Sequence, residues 1–156
     1  KAREVIEKVR EKTNKVLMVK LSPNVGNIGE FAKLAEDSGA DCISLINTVN
    51  ALAVDIRTRK AVFANKTAGL SGPAIKPIAL RMVNEAANSV SIPVIGMGGI
   101  MTYEDALEFI MAGATAIQVG TANFVDYKSM INIIDGMEKF MEEENIKDLS
   151  EIRNII

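Results

Sequence analysis

The residues whose types and spacing could do chemistry stand at the ends of apolar runs. Lys20 closes Val16-Leu17-Met18-Val19 and is followed by Leu21-Ser22-Pro23-Asn24. Asn47 and Thr48 follow Cys42-Ile43-Ser44-Leu45-Ile46. Gly98 and Gly99 end Ile92-Pro93-Val94-Ile95-Gly96-Met97, and Gly120 and Thr121 end Ala116-Ile117-Gln118-Val119. Glycine permits φ > 0 and lets a ligand come close to the backbone. Two such turns in succession can aim several free N–H groups at one anion, with a helix dipole adding attraction. An ammonium beside apolar residues is costly unless it is paired or used. Lys20 could therefore hold an anion, stabilise developing negative charge, form a Schiff base, or pair with an internal acid. Asn47 donates and accepts at once, so it could read a planar ligand edge or satisfy a turn. Thr121 could add a hydroxyl to the anion nest or cap a helix. Cys42 begins its run, at the other end from these groups, and reads as core.

Positioning these groups requires a repeated strand–turn–helix unit. The runs at Val16, Cys42, Ile92 and Ala116 are short and nearly all apolar, as buried parallel strands are. Helical patterns separate them. Residues 1–12 carry Val5, Ile6 and Val9 on one stripe, without an N-cap ahead of them. Asn27 and Glu30 have capping-box spacing before Ile28, Phe31, Leu34 and Ala35, and Gly39 stops that helix. A helix from about Lys76 to Asn88 has Pro77 in its first turn and Ile78, Met82 and Ala86 on its inner face. Thr102 caps the helix Tyr103 to Ala112, which Gly113 ends. The last long helix, about Lys128 to Glu143, is expected to bury Ile131, Ile134, Met137 and Phe140 or Met141, and a short one follows at Leu149 to Ile155. The long connection from Val49 to Gly69 is the exception. Its length suggests a function or structure of its own, and Val54 to Phe63 suits a small hairpin that exposes Arg57, Arg59 and Lys60.

A faint internal repeat relates Asp37-Ser38-Gly39-Ala40-Asp41-Cys42-Ile43 to Met111-Ala112-Gly113-Ala114-Thr115-Ala116-Ile117. Together these features predict an α/β fold of the (β/α)8-barrel type, with residues 1–156 forming one domain of about four βα units, a half-barrel. In such barrels the C-terminal ends of the strands carry the chemistry, and the last two loops often grip phosphate. A half-barrel leaves two sheet edges open, which proteins avoid. This predicts a missing companion half or a homodimer.

Composition narrows the function classes. A net charge of −2 gives no electrostatic case for nucleic acid or an anionic membrane. No apolar run approaches the ~20 residues of a membrane span, and the N-terminal residues, already in helical rhythm, do not read as a signal peptide. A single cysteine excludes an internal disulfide and a cysteine-rich metal site, and no histidine is present to serve as base or ligand. A cytoplasmic protein without a metal is expected.

Five motifs, taken together, resemble a known family: Lys20-Leu21-Ser22-Pro23-Asn24, Ile46-Asn47-Thr48, Ala64 to Pro77 (with Gly69-Leu70-Ser71-Gly72-Pro73-Ala74-Ile75-Lys76-Pro77), Ile95-Gly96-Met97-Gly98-Gly99-Ile100, and Val119-Gly120-Thr121-Ala122-Asn123-Phe124. In this order they resemble the C-terminal half of the class 1B dihydroorotate dehydrogenases, in the catalytic subunit. The resemblance implies an FMN-dependent barrel of pyrimidine biosynthesis that oxidises dihydroorotate to orotate. It implies that Lys20, Ile46, Gly72, Gly98, Gly99, Gly120 and Thr121 bind FMN, with Lys20 beside the flavin ring and the last four at the phosphate. It implies that Asn47 and Thr48 bind orotate. It also implies a partner subunit that carries FAD and an iron–sulfur cluster and passes electrons to NAD. The family's proton-abstracting cysteine belongs to the N-terminal half. Cys42 does not match its motif, so no catalytic base is expected in this chain. Two alternatives stand beside this reading: a phosphate-binding Schiff-base aldolase or lyase using Lys20, and a non-catalytic half-barrel that serves assembly.

Overall fold

The structure, a computed structural model, describes residues 1–156. In chain order its elements are α1 (Ala2–Arg10), β1 (Met18–Lys20), α2 (Ile28–Asp37), β2 (Cys42–Leu45), β3 (Val49–Leu52), β4 (Val54–Asp55), β5 (Lys60–Ala61), β6 (Thr67–Leu70), α3 (Lys76–Ala87), β7 (Val94–Met97), α4 (Tyr103–Met111), β8 (Ala116–Gln118), α5 (Ala122–Val125) and α6 (Ser129–Glu143). Single 3-10 turns stand at Pro73–Ile75 and Leu149–Glu151.

Strands β1, β2, β7 and β8 form one parallel sheet in that order. Helices α2, α3 and α4 are the crossovers. α2 packs on β2, α3 on β7 and β2, α4 on β8, and α6 on α4. Register decides which side chains face them. Lys20 pairs with Ser44, Ser44 with Ile95, and Ile95 with Ala116, so these four share one face. The alternate residues Val19, Ile43, Leu45, Val94 and Ile117 face the helices. They join Ile28, Ala35, Ala79, Val83 and Phe109 in a single core cluster. That core has one buried aromatic ring, Phe109, and is otherwise built from aliphatic and small residues.

The helix starts follow the sequence signals. The Asn27 side chain accepts the Glu30 N–H and donates to the Glu30 carboxylate at 3.0 Å. Thr102 and Asp105 form a full reciprocal capping box. Gly39 and Gly113 end their helices at φ 93° and 114°, a conformation that favours glycine.

Several expectations need correction. The first strand is not a buried one: β1 and β8 are the sheet's two edges, each with one partner, and only their middle residues are half-buried. Met18 and Lys20 stand open on the concave face, where a fifth strand would continue the barrel. In α3 the inner face is Ala79, Met82, Val83 and Ala86, and Ile78 is exposed. In α6, Ile133 is buried while Ile131 and Ile134 are exposed. Both helices have apolar residues on more than one side, so periodicity could not choose between the faces. The terminal helix is shorter than expected, a 3-10 turn, although Leu149 and Ile152 do pack against the core. The short helix α5 starts directly after Thr121, the position of the cap the sequence allowed, but the Thr121 side chain makes no capping hydrogen bond to it.

The long connection has the expected small hairpin, β4 with β5, whose Arg57, Arg59 and Lys60 are exposed. It also has an unforeseen outer ladder, β3 antiparallel to β6. This ladder returns the chain to the sheet's C-terminal edge and delivers Ser71 and Gly72 there.

Candidate anion- and ring-binding cleft

Parallel strands that all begin at the same edge must end at the same edge, so the loops that leave them meet there. They enclose a cleft of about 200 Å3. The nine residues singled out from sequence as candidates all line it: Lys20 from β1, Ile46, Asn47 and Thr48 after β2, Gly72 after β6, Gly98 and Gly99 after β7, and Gly120 and Thr121 after β8. Ser71, Ile75, Met97, Ile100, Gln118 and Val119 complete the wall. None of these six was given a role from sequence.

The backbone is shaped for an anion. Gly72, Gly98 and Gly99 have φ of 90°, 136° and 76°. The N–H groups of Gly98, Gly99, Gly120 and Thr121 find no backbone acceptor. Four unsatisfied donors on one cleft wall are a site for negative charge. The glycines differ in what holds them. A Cβ on Gly98 would lie 2.6 Å from Ala79 Cβ, and one on Gly99 would lie 2.7 Å from the Gly72 carbonyl oxygen and 2.9 Å from the Lys76 nitrogen. A Cβ on Gly120 meets nothing within 4 Å, so no contact of the chain itself requires glycine there.

Charge in the cleft is one-sided. Lys20 is the only ionisable side chain in the lining, and it forms no ion pair. Of the readings open from sequence, pairing with an internal acid is therefore not realised. No carboxylate, cysteine or histidine lines the cleft. Cys42 is buried at the opposite end of β2, where burial first, and the Asp41 charge second, push its thiol pKa up. Hydrophobic surface comes from Ile46, Ile75, Met97, Ile100 and Val119. The Leu45–Ile46 peptide is cis.

Side-chain bonds tie the loops together. Asn24 donates to the Thr48 carbonyl at 3.1 Å and accepts the Asn50 N–H at 2.9 Å, fixing the β1 loop to the β2 loop. Arg10 donates to Asp41 at 2.7 Å and to the Lys15 carbonyl at 2.8 Å. Asp41 also accepts the Leu17 N–H, and that bond, with the Arg10 charge, holds its carboxyl below the usual range. This clamp docks the edge strand that carries Lys20.

Below the Gly98–Gly99 turn, Asp105 accepts the N–H groups of Met101 and Thr102 at 2.8 and 3.1 Å and pairs with Lys76 at 2.6 Å. Burial alone would raise the Asp105 pKa. The Lys76 ammonium and the two N–H bonds outweigh it, so the carboxyl is held below its ordinary value. Lys76 is raised by its bonds to Asp105 and then Glu108. The depressed carboxyl contributes stability above the ordinary carboxylate pKa and loses it as pH falls through the folded value. The raised ammonium contributes below the ordinary lysine pKa and loses it as pH rises through the folded value. Asp105→Asn should therefore cost about 2 kcal/mol near neutral pH, from a damaged cap and a broken, mostly buried pair. The deficit should shrink as both proteins are taken into acid. Urea unfolding at a series of pH values checks this, and a deficit independent of pH would contradict it.

No helix of the structure is long and apolar enough to cross a membrane, and no cluster of His, Cys, Asp and Glu residues suits a metal ion.

A four-stranded parallel sheet, with its helices and a cleft at the strands' C-terminal ends, is the architecture of half a (β/α)8 barrel. Comparison with known proteins goes further. The family model described as dihydroorotate dehydrogenase matches residues 1–141, and the chain belongs to that family. Curated relatives include three proteins named dihydroorotate dehydrogenase B (NAD(+)), catalytic subunit. The one from Geotalea uraniireducens is 57% identical over 97% of this chain and 50% of its own length. Those from a Thermoanaerobacter species and from Petrotoga mobilis are 57% and 55% identical over 95% and 99% of this chain, and over 49% and 52% of their own lengths. The chain thus spans about half the length of the curated relatives it matches.

Proposed function

We propose that this chain supplies the FMN-holding half of a dihydroorotate dehydrogenase barrel, which oxidises dihydroorotate to orotate in pyrimidine biosynthesis. The observation that carries the reading is the pairing, in one cleft, of an unpartnered Lys20 ammonium with four unsatisfied backbone N–H groups. The donor set suits FMN. Gly98, Gly99, Gly120 and Thr121 would hold the phosphate, Lys20 and Ile46 would hold the ring, and Gly72 would approach FMN by its backbone. When bound, FMN supplies the two-electron acceptor that the side chains lack.

The chain's own residues then have separable tasks. Lys20 places a fixed positive charge where negative charge develops, a preorganised electrostatic role. Asn47 and Thr48 offer paired donors and acceptors to the edge of a planar substrate such as orotate. The apolar wall from Ile46 to Val119 excludes water. No group in this cleft can take the substrate's proton. That task is assigned to the base that the resemblance places in the N-terminal half of the barrel, the half that would also cover the open edges of β1 and β8. The word "subunit" in the relatives' names supports a further partner. The reading assigns it FAD and an iron–sulfur cluster that pass electrons to NAD, with the catalytic chains paired as a homodimer in the cytoplasm.

The test is to add FMN to the purified chain, desalt it, and record the visible spectrum. Retained, red-shifted flavin absorbance is expected. Lys20→Gln should weaken FMN binding about tenfold, as the loss of one charge-assisted contact does. The wild-type chain should hold flavin yet turn over no dihydroorotate with an artificial acceptor. Borohydride trapping of a carbonyl compound on Lys20, without flavin binding, would replace this reading with the Schiff-base one. A stable dimer that binds no flavin would favour the assembly role.

A further inference from the structure

Outside the lining of the cleft, two residues grip the Asn47–Thr48 corner. The first is Asn24, on the loop after β1. Its side-chain amide donates to the Thr48 carbonyl at 3.1 Å and to Ser22 Oγ at 3.3 Å, and it accepts the Asn50 N–H at 2.9 Å. Both amide protons are thus committed within the chain. The second is Gly69 in β6, which pairs with Asn50 of β3. A Cβ on Gly69 would lie 2.6 Å from Thr48 Cβ, and closer still to the Thr48 hydroxyl oxygen. The Thr48 side chain therefore lies against bare backbone, in space that any other residue at position 69 would fill. Asn47 and Thr48 line the cleft, and neither Asn24 nor Gly69 does.

We infer that Asn24 and Gly69 are positioning residues for substrate: they fix how the Asn47–Thr48 pair meets a planar ligand edge and touch no ligand themselves. The inference rests on the proposed assignment of Asn47 and Thr48 to orotate and adds to it the residues that aim them. Thr48 stands between the end of β2 at Leu45 and the start of β3 at Val49, where the chain leaves the parallel sheet for the outer ladder. The Asn47 N–H is held there by the Leu21 carbonyl at 3.1 Å, but Thr48 bonds to no other backbone group. The Asn24 amide is what holds its carbonyl. Asn24 bridges the exit as a neighbouring strand would, accepting one N–H and donating to the carbonyl two residues earlier. Gly69 closes it from the other side and limits the orientations open to the Thr48 hydroxyl. The outer ladder thereby has a task in the site, because its pairing brings Gly69 to Thr48. Side chains held in the productive geometry before binding lose less freedom when the ligand arrives.

Orotate titration of the full chain, followed by the amide NMR shifts of Asn47 and Thr48, reads the substrate edge, and FMN retention reads the rest of the cleft. Asn24→Ala should weaken orotate about tenfold, the upper range for one lost hydrogen bond, and leave FMN binding within about twofold. Gly69→Ala should do the same, because Thr48 must move to admit the methyl group. Asn50→Ala, which keeps the backbone N–H that Asn24 accepts, should change neither ligand. Asn24→Ala combined with Thr48→Ala should lose less than the product of the two single losses, because Asn24 acts through Thr48. Orotate affinity within twofold of wild type in Asn24→Ala, equal losses of orotate and FMN, or fully multiplicative losses would each overturn the inference. So would a wild-type chain that binds no orotate. Asn24 is exposed, so its variant decides the matter even if Gly69→Ala does not fold. If wild type retains no flavin on desalting, the FMN reading fails by itself. The orotate titration, read on the flavin-free chain with urea unfolding as the control, then still decides the inference.

Discussion

Gly99→Ala is expected to abolish tight FMN binding, by about a hundredfold, and to destabilise the chain by about 2–4 kcal/mol. The added methyl would sit 2.7 Å from the Gly72 carbonyl oxygen and 2.9 Å from the Lys76 nitrogen. Both are backbone atoms and neither can swing aside as a side-chain end would. The residue also stands at φ 76°, which costs an L-residue roughly 1–2 kcal/mol before any clash. Relief requires the turn to open, and opening it turns the Gly98 and Gly99 N–H groups away from the cleft. Loss of two bonds to an anion, each worth about 1.5 kcal/mol or more, gives the hundredfold figure. The matched control is Gly120→Ala. Its Cβ would meet nothing within 4 Å, so folding should be unchanged to within about 0.5 kcal/mol. A fall in FMN affinity there would report a ligand filling that open space. Denaturant unfolding and FMN titration on both variants separate the two kinds of glycine. If Gly99→Ala folds and binds like wild type, the Gly98–Gly99 turn is not the anion site.

Phe109→Ala should cost about 3–5 kcal/mol, the usual range for emptying a fully buried aromatic site. Phe109 is 0% exposed and is the largest fully buried side chain. Its ring occupies the room that Gly96 leaves: a Cβ on Gly96 would lie 2.6 Å from Phe109 Cδ1. It thus joins α4 to β7, the strand that ends in the Gly98–Gly99 turn. Globular domains have only about 5–15 kcal/mol to lose, and this chain leaves the edges of β1 and β8 without partners. The variant is therefore expected to unfold in urea far below wild type, or not to fold without a companion. Exposed positions give the contrast: Ile131→Ala, at a residue 60% exposed, should change stability by less than about 0.5 kcal/mol. If the two variants lose equal stability, the assignment of the core is wrong.

The sequence by itself determined the elements and the candidates for chemistry. Short apolar runs closed by glycine or a polar pair marked the four parallel strands, and the two central ones, β2 and β7, are buried on both faces and need no polar alternation. Thr102 with Asp105 marked the start of α4, because the donors at a helix end need acceptors a fixed few residues away. Gly39 and Gly113 marked helix ends, because their backbone turns left-handed there. The rule that groups at strand ends gather on one rim selected seven positions, the family resemblance added Ile46 and Gly72, and all nine line the cleft at that rim.

Only the tertiary structure decided what depends on distant partners. Val16 to Leu21 reads like a central strand but is an edge, because nothing local records how many neighbours a strand has. Ile78, Ile131 and Ile134 read like core, yet Ala79 and Ile133 are buried instead, because the packed face of a broadly apolar helix is set by what lies against it. Lys20 carried four readings, and the absence of any acid within its reach removed one of them. Ser71 lay within the glycine-rich motif but carried no role there: it meets the Thr121 hydroxyl only when β3 and β6 pair and bring it to the rim, fifty residues away in sequence. Local sequence writes periodicity and caps because they act over a few residues. Contacts between loops depend on where the whole chain has come to rest.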